Sequence, residues 1–217
     1  VGVAFAVTRE QLDTTIKSGD DLQEVTGMSP LTLIRLDAKS ARRPLLVMDS
    51  RSPMVEAFRT LRTNLKFADV DHPPRQVVVT SAVAHEGQST TAQNLAIALA
   101  QSGMRVCLVE ADLRRPKVTE NLGIEGAVGL TNVVAGEHNL QDVLVPWNRG
   151  LVTVLPAGTT PSDPASLLGS HNAQMLLQDL RQSFDFVVID APPLLPVSDA
   201  AVLAGETDGA LLVVRHG

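Results

Sequence analysis

The 217 residues include no tyrosine, one tryptophan and one cysteine, and aromatic side chains make up only 3% of the chain. A single cysteine, Cys107, excludes a disulfide framework and a cysteine-based metal cluster. It lies inside the apolar run RVCLV and reads as a core residue, not a reactive thiol. Basic residues are in the minority: 18 Lys and Arg against 24 Asp and Glu give a net charge of −6. That balance excludes a general nucleic-acid binder, which would present a basic face. No stretch reaches the roughly 18–20 apolar residues of a membrane span. VGVAFAV at residues 1–7 is too short to cross; it reads either as the end of a span or as a frayed apolar terminus. Internal repeats and low-complexity tracts are also missing.

What is present is an alternation. TREQLDTTIKSGDDLQEVTG holds one or two short helices, LTLIRL (31–36) alternates like a strand, and Pro44 breaks the chain after it. SPMVEAFRTLRTNLKF (52–67) predicts a helix with Ser52 as N-cap and Pro53 at the first helical position. Val55, Phe58, Leu61 and Leu65 recur on its core face. After the break at DHPPRQ, apolar strands are expected at 76–80, 105–112, 151–158, 184–193 and 209–217, with helices between them. One of those helices starts at Asp163 and Pro164. Apolar strands alternating with helices predict an α/β fold with a doubly wound, mostly parallel sheet. Ligands gather at the carboxyl ends of the strands in such sheets.

QVVVTSAVAHEGQSTTAQNLAIALAQSG (76–103) has the outline of a phosphate-binding loop. A β-branched strand meets a small-residue turn at Gly87, and a helix over 89–102 follows, so backbone N–H groups and a helix dipole can meet an anion. Ser89 is the hydroxyl expected on Mg²⁺, with Thr90 beside it. Against the pattern G-x-x-x-x-G-K-[ST], however, Ala82 stands for the first glycine and Gln88 for the lysine. On this pattern alone, a strand–turn–helix without a ligand is as good a reading. Two further segments shift the balance. LVEADLRRP places Glu110 and Asp112 at one strand end, and VVIDAPP places Asp190 at another. Strand-end carboxylates are the hard oxygen ligands that Mg²⁺–phosphate chemistry requires. Each one alone could equally cap the helix that follows it.

These segments, in this order and with the flanks DLRRP and DAPP, resemble the Walker A, Walker A′ and Walker B motifs of bacterial tyrosine kinases (BY-kinases). That family consists of P-loop autokinases of exopolysaccharide and capsule biosynthesis. EAFRTLR (56–62) is similar to its E-x-x-R-x-x-R self-association motif. The resemblance spans most of residues 46–217 and implies a P-loop NTPase-like domain, truncated at its C-terminal end. Residues 1–45 would be a membrane-proximal segment following a transmembrane span, which favours the span reading of VGVAFAV. The resemblance further implies that Ala84, His85, Glu86, Gly87, Gln88, Ser89 and Thr90 wrap the phosphates of ATP or ADP. Ser89, Asp112 and Asp190 would hold Mg²⁺. Glu110 and Asp112 would orient the metal and help deprotonate a tyrosine hydroxyl, so that Gln88, Glu110, Asp112 and Asp190 form the catalytic set. Glu56, Arg59 and Arg62 would bridge to a neighbouring subunit in a ring; a solvated charge trio on one helix is the alternative. The implied location is the cytoplasmic face of the cell membrane. Implied partners are a transmembrane chain-length-determinant region, polysaccharide export proteins and protein tyrosine substrates; nucleic acid is not among them.

The departures from the family are Gln88 for lysine, His85 for glycine, Glu110 for aspartate and the missing tyrosine cluster. A glutamine donates a hydrogen bond but carries no charge, which predicts impaired phosphoryl transfer. Two other functions remain in view: a partitioning or septum-positioning ATPase, and a non-catalytic nucleotide-binding assembly domain. The first is disfavoured by Val83, where those ATPases place an additional lysine.

Overall fold

Local signals set the helices before any packing is considered. In the computed structural model, which describes residues 18–35 and 52–215, the first helix, α1 (Gly19–Thr26), begins at Ser18. Its hydroxyl accepts from Asp21 N–H at 3.1 Å, and the helix stops at Gly27, whose φ is +71°. Helix α2 (Pro53–Lys66) starts as expected: Ser52 Oγ accepts from Met54 N–H, and Pro53 takes the first turn. Val55, Phe58, Leu61 and Leu65 are all buried, and Met54 joins them. The apolar segment at 1–7 and the break at Pro44 lie outside the described residues.

Six strands form one sheet: β1 (Gln76–Ser81), β2 (Val106–Glu110), β3 (Val145–Trp147), β4 (Val152–Leu155), β5 (Phe186–Asp190) and β6 (Gly209–Val213). Their order is β3-β4-β2-β5-β1-β6, parallel throughout except for the short β3, which pairs antiparallel with β4. The doubly wound, mostly parallel α/β fold is therefore present. Helix α3 (Gln88–Ala100) follows β1; α4 (Val118–Leu122), α5 (Leu130–Val134) and α6 (Leu140–Val143) lie between β2 and β3; α7 (Pro164–Leu168) and α8 (His171–Ser183) precede β5; α9 (Asp199–Gly205) precedes β6. Asp163 caps α7 by accepting from Ser166 N–H, again as expected.

Side chains on β1, β2 and β5 alternate between two cores. Val77, Val79, Leu108 and Val188 pack with α2 and α3 on one face, while Val78, Cys107, Val109, Val187 and Ile189 pack with α5, α7, α8 and α9 on the other. Cys107 is fully buried, and burial pushes its thiol pKa up, as a core cysteine requires. Helix α3 lies between the sheet and α2, so nearly all of its residues are buried and it has no polar face. Its alanines at 92, 96, 98 and 100 permit that close approach.

One expected strand is not formed. Among the described residues, 31–35 are irregular, and their polar partners sit on a helix: Asn64 Nδ2 donates to Leu31 O at 2.6 Å and Thr32 Oγ1 donates to Ala57 O at 3.4 Å. The burial does not follow the alternation: the segment lies on α2, with Leu31 and Ile34 against the core and Leu33 facing solvent. Strand β3, in turn, was too short to leave a periodic signal.

Candidate active site

Opposite ends of the sheet treat charge differently. At the amino ends of the strands, carboxylates are paired: Asp185 with Arg105 at 2.7 Å, and Asp208 with Arg181 at 2.7 Å. At the carboxyl ends, Asp190 closes β5, in register with Val79 of β1 on one side and Glu110 of β2 on the other. It is fully buried, and neither carboxylate oxygen has a hydrogen-bond partner. Burial raises its pKa well above the ordinary value, and the charges of Asp112 and Glu110 add to the rise. The nearby Ser89 hydroxyl opposes it only in part, without reaching hydrogen-bonding geometry. A buried carboxylate without partners in the protein calls for an explanation, whether a bound ion, an ordered water or a catalytic role.

The candidate phosphate loop lies beside it. Gly87, with φ +97°, turns the chain into α3, and the first intrahelical bond runs from Thr91 N–H to Gly87 O at 2.9 Å. The N–H groups of Gly87, Gln88, Ser89 and Thr90 therefore have no helical acceptor and form an anion-binding end. His85 also has positive φ, +72°, which accounts for glycine being the family's usual residue there. Gln88 is buried, at 9% exposure. Glu86 folds its carboxylate back onto the start of the loop, where Oε2 accepts from Ala82 N–H (2.9 Å) and Val83 N–H (3.1 Å).

The other acids divide. Asp112 Oδ1 accepts from Arg114 N–H (3.2 Å) and Arg115 N–H (3.0 Å), leaving Oδ2 without a hydrogen bond. Glu110 departs from the expected convergence on a metal. Its Oε1 accepts from Val118 N–H at 2.6 Å and Thr119 N–H at 3.2 Å, and its Oε2 from Ala157 N–H at 3.3 Å. It caps the next helix, the role that any strand-end carboxylate can take, and both oxygens are in use.

Among the described residues, no group of three His, Cys, Asp or Glu side chains forms an all-protein metal cage. That suits Mg²⁺, which is commonly held by one or two carboxylates together with substrate phosphates. The donors Ser89, Asp112 and Asp190 are hard oxygens, and Asp190 has two oxygens without a hydrogen-bond partner that a divalent cation would engage.

The helix motif is only partly available for bridging. Glu56 and Arg59 form an exposed pair at 3.1 Å, whereas Arg62 donates to Ala98 O of α3 at 3.0 Å within the same chain. One pairing escaped sequence reasoning altogether. The guanidinium of Arg114 forks onto the fully buried Asp199 of α9, with Nε–Oδ2 at 3.0 Å and Nη2–Oδ1 at 3.2 Å. Both residues were visible in DLRRP and VSDA, but nothing in a sequence joins positions so far apart.

An AAA domain family model matches residues 77–214. Tyrosine-protein kinase YwqD of Bacillus subtilis (strain 168) is 38% identical over 180 residues, which is 83% of this chain and 76% of that one. The solved kinase domain of the Escherichia coli tyrosine kinase ETK superposes with a TM-score of 0.86 at 30% identity, covering 92% of this chain and 82% of that one. The septum site-determining protein MinD from Pyrococcus horikoshii OT3, solved with Mg-ADP, is more distant: TM-score 0.55, 26% identity, 64% of this chain and 57% of that one. With three motifs at the strand ends, a kinase domain overlaying nearly its whole length and relatives above 30% identity, the chain belongs to the bacterial tyrosine-protein kinase family, on a P-loop NTPase fold.

Proposed function

We propose that this chain is the Mg-nucleotide-binding part of a bacterial protein-tyrosine autokinase that regulates exopolysaccharide or capsule biosynthesis and export, with phosphoryl transfer slowed by Gln88. The observation that carries the reading is the fully buried, partnerless carboxylate of Asp190 beside the open amino end of α3. The N–H groups at Gly87–Thr90 bind the phosphates, with residues 84–90 wrapped around them. Ser89, Asp112 and Asp190 hold Mg²⁺, which when bound neutralises phosphate charge. Asp112 Oδ2 accepts the proton of the incoming tyrosine hydroxyl. Glu110 keeps the floor of the site in place through α4. Gln88 offers the phosphates a neutral donor in place of a cation.

The acceptor tyrosine is not among these 217 residues, none of which is a tyrosine. It belongs to another segment or another protein. Residues 46–217 form the kinase domain in this reading and 1–45 connect it to a membrane span, at the cytoplasmic face. Ring assembly uses the exposed Glu56–Arg59 pair, with Arg62 in a supporting place. The chain-length-determinant region and polysaccharide export proteins are the partners. A MinD-type ATPase shares the fold, but Val83 lacks that group's additional lysine.

Calorimetric titration of Mg-ADP tests the reading. Wild type binds, and Asp190→Ala loses the Mg²⁺-dependent part of the affinity. Absence of binding to wild type and to Gln88→Lys alike would overturn it.

A further inference from the structure

The phosphate loop is held by a residue from the far end of the chain. Arg215, just past β6, donates from Nη1 to His85 O at 3.3 Å, and its backbone N–H donates to Glu86 Oε1 at 3.4 Å. Glu86 uses its second oxygen on Ala82 N–H and Val83 N–H, at the start of the same loop. The four contacts close a ring around residues 82–86. At its centre stands His85, a non-glycine residue at φ +72°. Such a conformation persists where the surroundings over-determine it. Among the described residues, Arg215 is the cationic side chain hydrogen-bonded to this loop, whose usual lysine is absent.

We infer that Arg215 and Glu86 form a clasp that pre-sets the phosphate loop before nucleotide arrives, so that Arg215 is a positioning residue for polyphosphate binding in a loop that lacks its lysine. The inference rests on the nucleotide-binding reading above. The physical reason is preorganisation. Without the lysine's charge, affinity depends more heavily on backbone N–H groups already aimed at the anion, and a loop that must first find its left-handed turn at His85 binds more weakly. The clasp also makes the strand end at β6 part of the nucleotide site, 130 positions away in sequence from His85.

The test is a mutant cycle read by Mg-ADP titration and by amide hydrogen exchange on the nucleotide-free protein. Arg215→Ala and Glu86→Gln should each weaken Mg-ADP by about tenfold, and the double variant by little more than either single, because both break one device. Exchange at the Ala82 and Val83 amides should speed up in both variants, with the unfolding midpoint unchanged. Gln88→Lys should tighten binding by the same factor with and without Arg215. An Arg215→Ala variant that leaves both affinity and exchange unchanged overturns the clasp. So does an Arg215 effect that disappears in the Gln88→Lys background, since the guanidinium would then be acting directly as a substitute charge. If neither wild type nor Gln88→Lys binds Mg-ADP, the nucleotide reading has failed; exchange at Ala82 and Val83 then decides the clasp alone.

Discussion

Two side chains carry most of the chemistry at the residue scale, one by what it lacks and one by what surrounds it. Gln88 is buried at the head of α3, where an ammonium would be the strongest local stabiliser of phosphate charge. Gln88→Lys is expected to raise the rate of phosphoryl transfer to a tyrosine peptide by about 10²–10³-fold, the usual scale for one preorganised stabilising donor. An initial-rate assay checks it. Asp190 is the opposite case, a carboxyl group held where nothing in the chain satisfies it. Its folded pKa is raised, so unfolding releases a proton, and its stability contribution falls as pH rises from the ordinary carboxylate value through the folded one. Asp190→Asn should therefore stabilise the nucleotide-free protein at pH 8 by about 1 kcal/mol and by less at pH 5. Denaturant unfolding at the two pH values reads the difference; a destabilised variant at pH 8 would contradict the assignment.

Elements are where the Walker A′ segment changes meaning. LVEAD placed two acids at one strand end, yet only the second remains open. Glu110 ends β2 and turns onto the first turn of α4 and the exit of β4, supplying acceptors to the buried N–H groups of Val118 and Ala157 and the half-buried one of Thr119. Glu110→Gln would set an amide NH₂ against those donors. It is expected to lower stability by about 2–3 kcal/mol while Mg-ADP affinity stays within about twofold. A large affinity loss at an unchanged unfolding midpoint would return Glu110 to the metal. In the same way the LTLIRL motif, a strand by its alternation, is not one over its described residues 31–35: a strand needs a neighbouring strand to pair with, and here the neighbour is the helix α2.

The whole molecule gathers positions from the length of the chain at one end of the sheet, the carboxyl ends of its strands. The Arg114–Asp199 fork joins the loop after β2 to α9, tying Asp112, whose Oδ1 receives the Arg114 N–H, to the loop that follows Asp190. Self-association belongs to this scale as well. Glu56 and Arg59 stand exposed on α2, while Arg62 is engaged by α3, whose amino end is the proposed phosphate site. Assembly through this helix should therefore depend on Arg59 and respond to nucleotide. Size-exclusion chromatography with and without Mg-ATP, comparing wild type with Arg59→Ala, checks both. Assembly that ignores nucleotide would favour a scaffolding role.

Periodicity, caps and strand-end motifs by themselves determined the alternation of strands and helices, the buried face of α2, the strand–turn–helix of the candidate phosphate loop and which acids stand at the strand ends beside it. These are local properties, written in spacings of a few residues. Only the tertiary structure decided that Glu110 serves the backbone, that Asp190 has no partner, that Arg114 answers Asp199 and that Arg215 holds the loop at His85. The reason is physical: a carboxylate's role depends on which donors reach it and how much water is excluded around it, and both are set by residues distant in the chain.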